Sequence, residues 1–287
     1  MSGRRGVGRM NRAELAEGLE ALYQTYNHTR FRSTDPVEFI YRYEKPNDRE
    51  IAGMFSALLA YGQVQSIRAS VEKALWRLGQ SPAEGLQEVS DRELAKRFED
   101  FRHRWTGPGE VVDMLRGVKA VQREYGSLGG AFALVGEPEG EGGRMALARW
   151  VGLLKQGKEF TRRDLLSDPW KNSACKRLHL FLRWMVRKDE IDAGVWEGIP
   201  CSVLWVPVDV HMHRIAGWLG WTRRRVADAR TVEEITAAFR RVRPEDPARY
   251  DFALTRLGME GVANREDLFQ RLRNGCSSSG VSSTLHA

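Results

Sequence analysis

The chain has 287 residues, 42% of them hydrophobic, which is enough for one large domain or two smaller ones with a substantial core. It has no apolar run near the ~20 residues that span a bilayer, and its basic N-terminus has no apolar segment behind it, so we expect neither a membrane protein nor a secretory signal. Lysine and arginine exceed aspartate and glutamate by seven (45 − 38), which suits a polyanionic partner such as DNA without requiring one.

The first fifty residues carry several helix signals. Apolar residues repeat with a period of 3.6 over 12–26 and predict a helix there. Asp35 before Pro36 is typical of an N-cap followed by proline at the first helical position. Asn47, with Glu50 three residues later, predicts a capping box at the start of the next helix.

Further start and stop signals follow along the chain. Gly62 is placed to end the helix that opens at Asn47. Ser90 with Glu93, and Thr231 with Glu234, predict two more capping boxes.

The last third continues the helical pattern. Asp246 and Pro247 predict the start of a helix that Gly258 closes. The only candidate strand is the apolar run over 202–208, which contains Pro207 and is better interpreted as a loop. Periodicity predicts six further helices, over 66–78, 109–125, 144–156, 172–187, 209–220 and 264–273.

These signals together predict an all-α protein of about a dozen helices joined by short loops. The acidic, glycine-rich stretch 136–143 predicts a flexible loop and is a candidate boundary between two lobes of one domain over 11–273. The basic segment 1–10 and the serine-rich segment 274–287 are expected to be disordered tails.

Two residues at helix starts carry the main chemical signal. Lys176 lies where a polar turn enters an amphipathic helix, and the positive end of the helix dipole disfavours its ammonium form, which suits a nucleophilic amine. Asp209 precedes the next helix and suits an ionised N-cap carboxylate, able to stabilise an oxocarbenium-like transition state or to accept a proton. The alternatives are a solvated surface lysine and an N-cap that contributes about 1 kcal/mol and nothing more.

The motifs around this pair resemble those of the helix-hairpin-helix DNA glycosylase superfamily, which includes endonuclease III and the 8-oxoguanine glycosylases. PVDVHMHRIAGWLG (207–220) resembles the superfamily's V-D-x-H-x-x-R element, and SACKRLHLFL (173–182) resembles its passage from hairpin to helix. The spacing of 33 residues from Lys176 to Asp209 is similar to that of the archaeal 8-oxoguanine glycosylase branch. The wider similarity, over about 165–260, is to an uncharacterised bacterial family placed in this superfamily.

The resemblance implies a two-lobed helical fold with a helix-hairpin-helix-like element at the cleft, and a lysine-dependent glycosylase that also cuts abasic sites. Lys176 takes the position of the nucleophile and Asp209 that of the catalytic carboxylate. An oxidised purine such as 8-oxoguanine is the favoured base. One element departs from the pattern, because DPWKNSA (168–174) replaces the glycine-rich hairpin whose backbone N–H groups bind a DNA phosphate.

Other residues are candidates for contact with DNA or with a flipped base. Gln63 and Gln65 resemble the superfamily's glutamine segment, with polar turn residues as the alternative. Trp170 and Phe252 have aromatic faces that accept any base, and the alternative for both is the core. Two residues of the Asp209 helix suit contact with a phosphate or with that carboxylate, His211 and Arg214.

The expected partner is double-stranded DNA that contains a damaged base, bound by a monomer. The proposed chemistry needs no cofactor and no metal, and the three cysteines cannot form a four-cysteine cluster. Their odd number and irregular spacing favour a reducing cytoplasm, so we expect a cytoplasmic protein that associates with the nucleoid when it binds DNA. Two other functions fit the sequence: a non-catalytic DNA-binding protein on the same fold, and a helical protein–protein scaffold.

Overall fold

A computed structural model describes residues 10–135, 142–159 and 165–274. Those residues form an all-α protein, in which the only β-type pairings are two isolated bridges. The 3₁₀ helices are Thr29–Thr34, Pro36–Arg42 and Cys201–Val203. The α-helices are α1 (Arg12–Tyr26), α2 (Pro46–Leu58), α3 (Val64–Trp76), α4 (Pro82–Glu88), α5 (Asp91–Arg97), α6 (Pro108–Tyr125), α7 (Leu128–Val135), α8 (Gly142–Lys155), α9 (Lys176–Val186), α10 (Val210–Leu219), α11 (Ala229–Val242), α12 (Asp251–Met259) and α13 (Arg265–Asn274).

Most helices predicted from periodicity are confirmed, with ends that differ by a few residues. Helix α1 matches its predicted range and begins with a capping box between Asn11 and Glu14. Ser90 is the N-cap of α5, as predicted, and accepts a hydrogen bond from the backbone N–H of Glu93. Asp35 is also an N-cap, but of a 3₁₀ helix. The sequence did not predict α4 or α7, because each is short and its apolar pattern covers only two turns.

The predicted capping box at Asn47 is wrong. Helix α2 begins at Pro46, so Asn47 lies inside its first turn, and the helix ends at Leu58, well before Gly62. The Glu50 side chain is buried and accepts hydrogen bonds from the backbone N–H groups of Leu128 and Gly129, at 2.9 and 2.8 Å. The Glu50 carboxylate therefore accepts hydrogen bonds from the free N–H groups in the first turn of α7, not from those of its own helix.

The predicted capping box at Thr231 is also wrong. The N-cap of helix α11 is Asp228, three residues before the predicted Thr231. The Asp228 carboxylate accepts a hydrogen bond of 3.0 Å from the backbone N–H of Thr231, which is buried. Asp228 is a stronger acceptor than a threonine hydroxyl, and it competes for the same helix start.

The last predicted helix start is wrong by four residues. Helix α12 begins at Asp251, whereas Asp246 forms an ion pair with Arg187. Gly258 lies inside the last turn instead of beyond it, and a Cβ there would lie 2.9 Å from Cβ of His211. This glycine therefore allows α10 to approach α12 closely.

The core is one continuous hydrophobic cluster that runs from α1 to α13. Helix α9 lies at its centre and packs against α2, where a Cβ at Gly53 would lie 2.8 Å from Cε of Met185. The first described helix meets the last two, since α1 packs against α12 and α13. Within this cluster α9, α10 and α12 converge, and their meeting point is the cavity described below.

A buried ionic network fixes α9 against α12. Arg183 lies in the last turn of α9 and Arg187 is its C-cap residue, and both are almost inaccessible to solvent. Their carboxylate partners come from the loop after α9, from the approach to α12 and from α12 itself: Asp189, Asp192, Asp246 and Asp251. Two guanidinium groups shared by four carboxylates leave an excess of negative charge, which makes the network sensitive to protonation.

Three expectations fall wholly or largely outside the described residues: the disordered tails over 1–10 and 274–287, and the flexible loop at 136–143. No helix among the described residues is long and apolar enough to cross a membrane.

Candidate functional site

A cavity that is open to solvent lies where α9, α10 and α12 meet, and about 160 Å³ of it is available to the centres of water-sized molecules. The wall opposite these helices comes from the second 3₁₀ helix and from the junction between α2 and α3. The residues that line it are Thr34, Asp35, Pro36, Ala60, Val64, Ile67, Lys176, Leu180, Arg183, Trp184, Pro207, Asp209, Asp251, Phe252, Thr255, Arg256 and Met259.

The predicted pair, Lys176 and Asp209, meets at this cavity. The Lys176 Nζ lies 3.7 Å from Oδ2 of Asp209. The lysine side chain is 36% exposed and the aspartate side chain 15%, so the pair is accessible from solvent. An amine and a carboxylate at this separation can exchange a proton directly or through one water molecule.

Helix starts position both side chains. Lys176 is the first residue of α9, after Cys175 in the left-handed conformation at φ 45°. Asp209 is the N-cap of α10, and its Oδ1 accepts a hydrogen bond of 2.8 Å from the backbone N–H of Met212. One carboxylate oxygen therefore caps the helix while the other faces Lys176, so capping and chemistry do not compete for the same atom.

Three ion pairs line the cavity. The Lys176–Asp209 pair is the most exposed of the three, and a second pair joins Arg256 to Asp35 at 3.9 Å. The third, between Arg183 and Asp251, is buried, with side chains that are 3% and 4% exposed. The cavity is thus formally neutral, with its accessible pair towards solvent and its buried pair in the interior.

Two buried polar atoms of the lining have no hydrogen-bond partner. They are Oδ1 of Asp251, whose other oxygen is bound by Arg183, and Nε1 of Trp184. Burial raises the pKa of Asp251 to about 6 against the lowering effect of Arg183, and the charge of Asp209 raises it further. Both atoms are shielded from solvent, and buried polar atoms without a partner are unusual, because most such groups are satisfied.

Of the other predicted residues, only Phe252 lines the cavity. Its ring is buried and lies edge-on to Phe31, with the guanidinium of Arg256 over it at 5.0 Å from the ring centroid. Gln63 is the N-cap residue of α3, and Gln65 lies in the first turn of the same helix. Both glutamines are exposed beside the cavity wall and outside its lining.

Trp170 lies in the turn that replaces the expected glycine-rich hairpin, and its side chain is 61% exposed, so it is not a core residue. Arg144 of α8 holds this turn from the inside, donating hydrogen bonds to the backbone carbonyls of Pro169, Trp170 and Lys171. Carbonyl groups therefore face the protein. The turn offers the exposed side chains of Trp170 and Lys171 to solvent.

His211 and Arg214 contact each other and α12. The Nη2 of Arg214 lies 3.4 Å from Nδ1 of His211 and donates a hydrogen bond of 3.2 Å to the carbonyl of Gly258. The Arg214 guanidinium also lies 5.2 Å from the ring centroid of Trp218. Both residues thus connect α10 to α12 near Asp209.

Sequence reasoning missed the interior of the cavity. No role was predicted for Arg183, Trp184 or Asp251. The available signal was a charged residue in the middle of the apolar run of α9, which predicts a buried partner. No group of three or more His, Cys, Asp or Glu suited to a metal ion occurs within the described ranges.

Comparison with known proteins gives one match. The family described as "Protein of unknown function (DUF2400)" matches residues 35–260. The chain belongs to this family. The DUF2400 match includes Lys176, Asp209 and every other lining residue of the cavity except Thr34. No curated protein matches the chain, and no solved structure does.

Proposed function

We propose that the protein is a DNA glycosylase with abasic-site lyase activity, built on a two-lobed fold of the helix-hairpin-helix type. The observation that carries the proposal is the approach of Lys176 Nζ to within 3.7 Å of the Asp209 carboxylate at the cavity. Two residues 33 positions apart, each singled out by a motif, thus lie side by side where a ligand can reach them. A function as a protein–protein scaffold would not explain why these two residues lie together at the cavity.

The proposed reaction begins with a damaged nucleotide flipped into the cavity, its sugar at the accessible ion pair. Asp209 accepts a proton from the Lys176 ammonium, and the free amine attacks C1′ of the sugar. The bond from C1′ to the base breaks and the base leaves with the electron pair. Asp209 passes the proton on towards the departing base, and the carboxylate charge that this restores stabilises the oxocarbenium-like transition state. The departing base takes up a proton as it leaves.

The covalent product then allows strand cleavage. Loss of the second amine proton and opening of the sugar ring give a Schiff base between Lys176 and C1′. Removal of a proton from C2′ expels the 3′ phosphate by β-elimination, and water hydrolyses the Schiff base to release the enzyme. Every step uses protein side chains and water.

The proposed DNA contacts differ from those of a glycine-rich hairpin. The backbone carbonyls of the 169–171 turn are held by Arg144, so we assign phosphate contact to exposed side chains, chiefly Lys171. The neighbouring exposed Trp170 supplies a face for stacking. The net charge of +7 supports such an interface. An oxidised purine such as 8-oxoguanine is the favoured base.

Borohydride reduction of a duplex with one abasic site tests the proposal. The wild-type protein is expected to form a reduced covalent adduct with this DNA, and Lys176→Gln to form none. Lys158→Gln serves as the comparison, because it removes one lysine charge from a position without an assigned DNA contact and leaves the Lys176 amine in place. Salt-dependent binding without an adduct for the wild type would instead favour the non-catalytic DNA-binding protein.

A further inference from the structure

An exposed pair of stacked aromatic rings takes no part in the proposed reaction. The indole of Trp105 lies on the ring of Tyr61, with ring centroids 4.7 Å apart and planes 17° from parallel. Tyr61 covers one face of the indole, yet Trp105 is 60% exposed, so most of the remaining indole surface faces solvent. Tryptophan is usually largely buried, and an exposed indole held in a stack suits a ligand with a flat ring.

The backbone that presents Trp105 is held in place. His103 and Thr106 pair through two backbone hydrogen bonds of 3.0 and 2.9 Å. Arg104 and Trp105 therefore form the tip of a two-residue turn, in which Arg104 has a left-handed backbone at φ 54°. The Tyr61 hydroxyl donates a hydrogen bond of 3.0 Å to the carbonyl of His103. A partner that stacks on Trp105 thus meets a preformed surface and loses little affinity to ordering it.

Two arginines flank the stack. The guanidinium of Arg104 lies 5.0 Å from the ring centroid of Trp105, and that of Arg177 lies 5.3 Å from the ring centroid of Tyr61. Neither arginine forms an ion pair with a carboxylate within the described ranges. Arg177 donates a hydrogen bond of 2.6 Å to the carbonyl of Leu58, which leaves its positive charge uncompensated. Uncompensated guanidinium groups beside an exposed ring attract a ligand that carries phosphates.

The stack borders the cavity. Ala60 and Val64, which precede and follow Tyr61 in the junction between α2 and α3, both line the cavity. Arg177 follows Lys176 in the first turn of α9. A chain of nucleotides held at the stack therefore passes close to the cavity.

We propose that Trp105, Tyr61 and Arg104 form a binding surface for single-stranded DNA, on which an unpaired base stacks on the indole and Arg104 contacts the adjoining phosphate. Bases inside a duplex are stacked on both sides and offer no free face, so the surface selects bases outside a double helix. It accepts any base, because every base has a flat face. The proposal does not rest on the proposed chemistry, since Lys176 and Asp209 contribute no group to this surface.

Binding of an oligothymidylate of about 15 nucleotides, which forms no base pairs with itself, tests the stacking. We expect the wild type to raise the fluorescence anisotropy of the labelled strand and Trp105→Leu to bind it at least about 5-fold more weakly. Trp105→Phe keeps a ring and is expected to lie between the two. Trp76→Leu is the matched control, because Trp76 is 81% exposed and is the last residue of α3, at the opposite end from Tyr61. Absence of binding by the wild type, or an equal loss in Trp76→Leu and Trp105→Leu, overturns the proposal.

The salt dependence of binding tests the phosphate contact. Arg104→Gln is expected to weaken binding of the same strand and to reduce the slope of log K against log salt by about 0.7, the value for one contact with a single strand. Arg265→Gln is the control, because Arg265 of α13 also lies 5.0 Å from an aromatic centroid, that of Phe269, and is expected to leave the slope unchanged. An Arg104→Gln protein with the wild-type slope contradicts the contact.

An undamaged, fully paired duplex separates an unpaired base from DNA in general. Trp105→Leu is expected to lower the affinity for the single strand at least about 5-fold more than the affinity for this duplex, which has no free base face inside it. Equal loss on both overturns the stacking role. The result is independent of the lyase: a wild type that forms no abasic-site adduct contradicts the proposed function, and the binding measurements still decide whether this surface takes a single strand.

Discussion

Replacement of Asp209 separates its two roles, helix capping and the proposed catalysis. In the wild type, Oδ1 of Asp209 accepts a hydrogen bond of 2.8 Å from the Met212 N–H. Asp209→Asn keeps an oxygen that can accept this hydrogen bond, whereas Asp209→Ala removes it. Loss of an N-cap costs about 1 kcal/mol, and aspartate and asparagine cap about equally well. The loss of the negative charge at the helix start adds a few tenths of a kcal/mol in both variants. The ion pair with Lys176 adds little, because that lysine is 36% exposed.

We therefore expect the alanine variant to lose about 1–2 kcal/mol of unfolding free energy and the asparagine variant about 0.5 kcal/mol or less. The two variants are expected to lose activity equally, because both lack the carboxylate that accepts the Lys176 proton. Each is expected to excise the base and cleave the strand at least about 100-fold more slowly than the wild type. Urea unfolding measures the first effect and single-turnover kinetics the second. An asparagine variant with wild-type kinetics would refute the catalytic role, and an asparagine variant as unstable as alanine would refute the capping argument.

Three further predictions concern stability and DNA affinity. Glu50→Ala leaves two buried backbone N–H groups without their acceptor and is expected to lower the free energy of unfolding by about 3–6 kcal/mol. The control, Glu99→Ala at an exposed position, is expected to lower it by less than about 0.5 kcal/mol. Chemical unfolding measures both, and a loss below about 1 kcal/mol for Glu50→Ala contradicts the prediction. Burial raises the pKa of the Asp251 carboxyl to about 6 from its ordinary value of 3.8. Between pH 3.8 and 6 this carboxyl is therefore protonated in the folded state and ionised in the unfolded state, and its contribution to the free energy of unfolding is lost as the pH rises through 6. Between pH 4.5 and 7 the wild type should therefore lose unfolding free energy relative to Asp251→Asn. A difference between the two proteins that does not change with pH rules this out. Lys171→Gln is expected to weaken duplex binding and to reduce the slope of log K against log salt by about 1, whereas Lys158→Gln, whose lysine pairs with Asp113 of α6 and has no assigned DNA contact, leaves the slope unchanged.

The sequence predicted the fold class well, because most helices carry a long apolar repeat. Helices such as α1 and α6 were placed to within a residue or two by periodicity alone. Their start signals were less reliable where a second acceptor lay nearby. At α11, the sequence predicted Thr231 as the cap, whereas the structure has Asp228 as the N-cap, three residues earlier.

The site was predicted in part. Lys176 and Asp209 were identified because helix starts and motifs mark them in the sequence, and the structure brings them to 3.7 Å. Asp251 escaped notice because its significance lies in an unpartnered oxygen and in a cavity, both created by the packing of α9 against α12. Glu50 was misassigned for a similar reason, since its partners in α7 are 78 and 79 residues away along the chain.

The central claim is that the Lys176 amine forms a covalent bond with the sugar of a damaged nucleotide. The most direct measurement is mass spectrometry of the borohydride-reduced adduct with an abasic duplex, after protease and nuclease digestion. The proposed function predicts that the peptide containing Lys176 carries the reduced sugar remnant and that fragmentation places the added mass on this side chain. An adduct on another lysine or on the terminal amine, or an adduct of undiminished yield in Lys176→Gln, would contradict the claim.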